Sequence, residues 1–388
     1  MALKQQKHLF DLPEDVTYLN IASQSPTFNT IHQAGLDGLQ QKRRPYLITG
    51  SDYFEPVKQL KSLFAQLIDE DDYNRIALIP SASYGIATVT HNIVLKPTDE
   101  ILIIDQQFPS NYYSWKRLAD QYQATIRVVK APLDAENIGQ QWNLDIIKAI
   151  NTNTAVVAMG HIHWSNGTLF DLKTIREKSK LHEALLIIDG SQSIGALPFS
   201  VKELQPDALI CAGYKWLFGP YGCGYAYFSK TFDNGIPLEE NWCNRINSDN
   251  FSGLTNYQEQ YKPLANRYSA GESASFINVK MQIAALQQVL EWTPKAIQHY
   301  CKTITQKAVQ ELRALGFQIE DDDYRTHHLF GIKLPENITP ESVKQTLADH
   351  NIYVSFRGNY IRLSSHVFNT TEDFKTLIAC FSSLIKTT

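Results

Sequence analysis

Ile187-Ile188-Asp189-Gly190-Ser191-Gln192 and, farther on, Ala208-Leu209-Ile210-Cys211-Ala212-Gly213-Tyr214-Lys215-Trp216 are the stretches that decide the fold. Each opens as an apolar run and ends in glycine and polar residues. The first carries a carboxylate, Asp189, to the carboxyl end of a buried strand. A charge buried there without a partner is costly. The second delivers Lys215 and continues into the glycine-rich turn Phe218-Gly219-Pro220-Tyr221-Gly222-Cys223-Gly224. Ligand sites of open α/β sheets lie at such strand ends.

The same texture extends on both sides. Arg75 to Ile79, Glu100 to Ile104, Thr125 to Val129, Thr154 to Met159 and Ala184 to Ile188 are short, nearly continuous apolar runs. Such runs are expected of strands whose two faces are both covered by helices. Amphipathic stretches alternate with them, at Tyr84 to Val94, Ser114 to Tyr122 and Leu144 to Asn151. Strand alternating with helix predicts an α/β fold around a mainly parallel sheet. Ala208 to Cys211 and Cys223 to Phe228 read as two further strands, close in sequence, that add an antiparallel element. Residues 231–272 are rich in Asn, Gly, Ser and Tyr and read as loops, and a helical pattern runs from Phe276 to Trp292. Residues 275–388 read as a smaller α+β domain, after an N-terminal segment at 1–16 and a large domain at 17–274.

The 388 residues exceed a single small core. Lys plus Arg number 36 against 40 Asp plus Glu, a net charge of −4. The short basic cluster Lys42-Arg43-Arg44 reads as a solvated loop or helix end. Nothing here suggests a nucleic-acid partner. The five cysteines are scattered without a CxxC pair, against a disulfide framework and against a zinc site. The polar start, Met1 to His8, lacks an apolar signal core, and no apolar run approaches a membrane span. A reducing cytoplasm is the expected compartment.

Asp189 and Lys215 together point to a cofactor. Either alone could be a helix cap or a surface residue. A lysine in a desolvated pocket can act as a neutral nucleophile and form a Schiff base. Pyridoxal 5′-phosphate (PLP) needs such a lysine for its aldehyde and a carboxylate for its pyridinium nitrogen. Ser81-Ala82-Ser83 follows a strand and opens a helix, where free N–H groups favour a phosphate.

With these residues in place, the chain resembles the class V aminotransferases, the PLP fold-type I group that includes cysteine desulfurases, kynureninases and isopenicillin-N-epimerase-like enzymes. The resemblance spans roughly residues 17–385 and rests on motifs in the family's order. They are Tyr18-Leu19-Asn20-Ile21-Ala22-Ser23, Ser81 to Ile86, Phe108-Pro109-Ser110-Asn111, His163-Trp164-Ser165-Asn166, Asp189 to Gln192, Gly213-Tyr214-Lys215, Arg267 to Glu272 and Tyr360-Ile361-Arg362-Leu363-Ser364. It implies a large domain with a mainly parallel seven-stranded sheet and a small α+β C-terminal domain.

It also implies roles. Lys215 carries PLP and acts as the base. Ser81, Ala82, Ser83 and Tyr214 hold the phosphate, Phe108 stacks on the ring, Asp189 pairs with the ring nitrogen, and Asn166, Ser191 and Gln192 complete the cofactor shell. Asn20, Ala22 and Ser23 line the substrate side, and Arg362, with Arg357 as competitor, binds the substrate carboxylate. Two positions depart from the family. Ala212 stands where many relatives carry a phosphate-binding Ser. Glu272, expected to turn toward Arg267, stands where some relatives reach the neighbouring subunit's phosphate, a contact that falls to Ser273. A homodimer with shared active sites follows. His163 reads equally as a core or a functional histidine.

The resemblance favours an aminotransferase acting on an amino acid, with a kynureninase-like lyase or an epimerase as alternatives. A desulfurase is disfavoured, because residues 302–379 hold no cysteine for the sulfur and Cys301 and Cys380 sit in helical patterns. A non-catalytic PLP-fold protein is the remaining alternative.

Overall fold

The computed structural model describes residues 3–387 apart from 134, 136, 336, 337 and 359, so Met1, Ala2 and Thr388 of the expected terminal segments lie outside it. A seven-stranded sheet runs in the order Ile76–Ile79, Gly224–Phe228, Ala208–Ala212, Leu185–Asp189, Thr154–Gly160, Glu100–Ile104, Thr125–Val129. The last five of these pair in parallel. Gly224–Phe228 is antiparallel to both its neighbours, as the short connection from Ala208–Ala212 requires.

The apolar runs are continuous because successive side chains enter two different cores. Leu102, Ile104, Leu186, Ile188 and Leu209 face one cluster. Ile101, Ile103, Ile187, Ala208 and Ile210 face the other. Strand side chains alternate between faces, so a sheet covered on both sides needs apolar residues at every position.

A second sheet holds Ser355–Arg357, Tyr360–Ser364 and Leu329–Lys333, all antiparallel. Residues of this sheet share a core with Leu19 and with residues of the helices Pro294–Ala314 and Thr371–Thr387. The helix Asn278–Trp292 packs instead on Asn29–Lys42 and Gly50–Leu67, and its Val279, Leu286, Val289 and Trp292 join the core of the large sheet. This helix, read from sequence as the start of the smaller domain, thus packs with the large sheet. The start of the large domain joins the smaller lobe: Thr17–Tyr18 pairs in parallel with Ile352–Tyr353. Among the described residues no helix is long and apolar enough to cross a membrane.

Candidate active site

The carboxyl ends of the central strands open onto one cavity. Asp189 ends its strand there, opposite Gly160 of the neighbouring strand. Its Oδ1 accepts a hydrogen bond from the Ser191 backbone N–H at 3.0 Å. The next strand ends at Ala212, whose N–H donates to Ser191 Oγ at 3.0 Å. The chain then turns tightly. Gly213 N–H donates to Cys223 O at 2.8 Å, and Gly219 N–H donates back to Gly213 O at 2.8 Å. A Cβ on Gly213 would lie 2.8 Å from Cys223 O, so glycine is required for this close approach. The turn aims Lys215 into the cavity.

Lys215 is 8% exposed. Burial lowers its pKa to about 8, with the charges of Arg362 and Arg357 acting in the same direction and Asp189 opposing. Its Nζ lies 5.7 Å from the Phe108 ring centre and 5.6 Å from that of Tyr214. Ala82, Phe108, Asp189, Ser191, Gln192, Tyr214 and Lys215 all line the cavity. Ser81 and Ser83 stand at the same helix start. Ser81 Oγ caps that helix by accepting from Tyr84 N–H at 3.2 Å and lies 2.9 Å from Ser83 Oγ. Gln192 is fixed at both ends: its Nε2 donates to Ala22 O and its Oε1 accepts from Trp216 Nε1. A buried lysine, a strand-end carboxylate, an exposed aromatic face and a helix N-terminus around one cavity match the chemistry that PLP needs.

Two of the expected cofactor residues border other cavities instead. Asn166 turns away. Its Oδ1 lies 2.9 Å from His163 Nδ1 and accepts from Thr168 N–H at 3.1 Å, and the residue borders a different cavity beside Tyr360. Trp164 lines the Lys215 cavity instead, edge-on to Phe108 with ring centres 5.4 Å apart. Only the tertiary course of the loop sets which residue of His163-Trp164-Ser165-Asn166 points inward. Gly331 helps fix that course, since a Cβ there would lie 2.7 Å from Asn166 O. Ser273 lines a neighbouring cavity with Pro80 and Cys223 and does not reach the Lys215 cavity of its own chain. Among the described residues Glu272 forms no ion pair with Arg267, which donates to Gly235 O at 3.0 Å. His163 is buried, contacts Asp105 O as well as Asn166, and is held neutral by burial, which lowers its pKa to about 4.

The substrate-side residues form a polar knot above the cavity. Ser355 stands directly across from Arg362 in the small sheet. Arg362 donates from Nη1 to Trp164 O and from Nη2 to Ser23 Oγ, both at 2.7 Å. Ser355 Oγ lies 2.9 Å from Ser23 Oγ and donates to Asn20 Oδ1 at 2.6 Å. Ala22 N–H donates to Ser364 Oγ at 3.0 Å. The sequence reading missed Ser355 and Trp164. A serine on a strand facing an arginine was the available signal for the first, and an aromatic in a polar loop for the second.

The family model for aminotransferase class-V matches residues 43–377. The chain belongs to the class V aminotransferase family. An uncharacterized aminotransferase of Bacillus subtilis is 25% identical over 97% of this chain and 96% of its own length. One of Schizosaccharomyces pombe is 22% identical over 97% and 93%. A probable cysteine desulfurase of Pasteurella multocida is 31% identical, over only 34% of this chain and 30% of its own. The apo cysteine desulfurase of Thermococcus onnurineus superposes with a TM-score of 0.85 at 18% identity, covering 100% of both chains. The cystine C–S lyase C-DES, solved with cysteine persulfide, superposes at 0.86 and 19% identity over 96% and 98%. The architecture is the PLP-dependent fold-type I, and PLP is the family's cofactor.

We propose Asp189, at the strand end beside Lys215, as the partner for the pyridine nitrogen of bound PLP. Asp189→Asn is expected to lower kcat roughly 10- to 150-fold, the equivalent of about 1.5–3 kcal/mol for a charge-assisted hydrogen bond, and to lower PLP affinity much less. Steady-state kinetics beside a cofactor titration measures both. A variant with wild-type turnover removes Asp189 from that role.

Proposed function

We propose that the protein is a PLP-dependent aminotransferase of α-amino acids, with Lys215 as cofactor lysine and base and Arg362 as the carboxylate-binding residue. Arg362 carries the reading. It is 1% exposed, its Nε is buried without an acceptor, and among the described residues it forms no ion pair. A buried guanidinium without a counter-charge is strongly destabilising. Burial and the nearby Arg357 lower its pKa to about 9. A substrate carboxylate supplies the missing charge in the bidentate geometry that arginine favours.

Bound PLP would supply a carbonyl carbon for the substrate amine and a ring that delocalises the electron pair left at the α-carbon. The protein does the rest. Asp189 would keep the ring nitrogen protonated, and Phe108 would cover the ring. Lys215 Nζ, its pKa lowered by burial, would take the α-proton and deliver it to the former aldehyde carbon of the cofactor rather than back to the α-carbon. The lyase and epimerase alternatives use the same residues. Two sequence relatives matched along nearly their whole length are named uncharacterized aminotransferases, which favours transamination. A persulfide route is poorly supported. Cys211, Cys223, Cys301 and Cys380 are buried, and burial pushes the half-buried Cys243 thiol up to about 11.

Mixing the holoenzyme with a single amino donor tests the reading. Transamination leaves the cofactor in its amine form and bleaches the Schiff-base absorbance. A lyase restores that absorbance after every turnover, and this outcome would replace the proposal.

We also propose a homodimer with shared active sites, in a reducing cytoplasm where the five free cysteines are stable. Ser273, set apart from its own chain's Lys215 cavity, would then serve the partner's phosphate. Exposed Ile236, Trp242, Phe251 and Tyr257 in the intervening loops give such a contact apolar area. Symmetric pairs are also the commonest oligomers. Light scattering is expected to give twice the chain mass of 44.1 kDa. Full activity from a monomer at nanomolar concentration would refute it.

A further inference from the structure

Arg357 acts so far only through its charge on Lys215 and Arg362, yet it is built into the same site. The strand Ser355–Arg357 pairs with Tyr360–Ser364 so that Ser355 faces Arg362 and Arg357 faces Tyr360. Residues two apart on a strand share a face. Arg357, Ser355 and Arg362 therefore point to one side, toward Ser23. Both guanidiniums donate to the same hydroxyl: Arg362 Nη2 lies 2.7 Å from Ser23 Oγ and Arg357 Nη2 lies 3.4 Å from it. The remaining hydrogen bond of Arg357 goes to its neighbour Phe356 O, at 2.8 Å. Its guanidinium sits over the Trp164 ring, 5.7 Å from the centre.

The charge in this corner is unbalanced. Among the described residues neither arginine forms an ion pair, and each has a buried Nε without an acceptor. Both act on Lys215 in the direction that disfavours its charged form, against Asp189 alone. One substrate carboxylate answers Arg362. It leaves Arg357, stacked on an aromatic face and half-desolvated, still without an anion. Two cations drawn to one neutral hydroxyl repel each other, and added negative charge relieves that repulsion.

We propose that Arg357 receives a second anionic group, carried on the substrate's side chain, so that the amino donors are acidic amino acids. This rests on Arg362 taking the α-carboxylate. The shared chemistry is a short side chain ending in a carboxylate or a sulfinate. Trp164 forms the floor of that subsite, and Arg357 is its specificity-determining residue.

Two measurements on the holoenzyme test it. The first is single-turnover absorbance with aspartate, glutamate and cysteine sulfinate against asparagine, glutamine and alanine. The acidic donors should be preferred by at least roughly 30-fold in kcat/KM, because truncating one partner of a desolvated charge pair has effects of that order. Arg357→Gln should collapse the acidic-to-neutral ratio by a similar factor, and Arg357→Lys should restore part of it. Comparing the carboxylates with the sulfinate identifies the anion. The second is calorimetric binding of succinate and butyrate, which needs no turnover. Succinate should bind more tightly to the wild type and lose that advantage in Arg357→Gln. Neutral donors reacting as well as acidic ones, or an Arg357→Gln loss equal for both classes, would overturn the proposal while leaving the amino-donor reading intact. Selective succinate binding with no reaction from any amino acid would uphold the anion subsite and overturn the amino-donor reading.

Discussion

Lys215→Ala is expected to abolish the covalent hold on PLP. Borohydride should fix one cofactor to each wild-type chain and none to the variant, and turnover should fall roughly 10²- to 10⁴-fold as the base is lost. The size of the effect follows from the environment. A solvated lysine has a pKa of about 10.4 and is almost wholly charged near neutrality. Burial brings Lys215 to about 8. The reactive neutral form is then far more populated near neutrality than in a solvated lysine. The neutral fraction grows as pH rises, so the rate of cofactor loading should climb through about pH 8 and level off above it. Peptide mapping after reduction gives the attachment site. Wild-type labelling of the variant would remove Lys215 from the chemistry.

Arg362→Ala is expected to depress kcat/KM for amino acids by roughly 30- to 5,000-fold, the equivalent of about 2–5 kcal/mol for a truncated, desolvated charge contact. Simple amines, which carry no carboxylate, should be affected far less. The side chain also holds Trp164 O and Ser23 Oγ, so part of the loss could come from a slackened loop. Arg362→Lys separates the two causes. It keeps the charge and one donor direction but loses the bidentate fork, and should fall between wild type and alanine. Equal losses for amino acids and amines in both variants would show that Arg362 only supports the loop.

Much of the large lobe was legible from local pattern. Each of its seven strands begins or ends within a residue of the expected run, because apolar continuity and β-branching mark a strand covered on both faces. The antiparallel Gly224–Phe228 strand was legible from its short connection, which leaves no room for a crossover helix. Asp189 and Lys215 were legible as a pair because strand ends in such sheets converge, so two distant polar residues become neighbours. The helix Asn278–Trp292 was found, but its packing was not. An apolar helix face does not say which sheet it will cover.

The sequence by itself determined the α/β architecture and marked Asp189 and Lys215 as candidates at strand ends, while the family resemblance marked Arg362 with Arg357 as its competitor. Tertiary structure decided what lay between those anchors. It turned Trp164 into the cavity and Asn166 away from it, through a loop pinned by His163, Thr168 and the close approach of Gly331. It also decided that Arg357 and Arg362 share one hydroxyl, contributed by a segment more than 300 residues earlier. Loop side chains have no periodicity to fix their direction, and contacts between distant segments leave no local mark in the chain. Their placement follows only from how the two lobes close on each other.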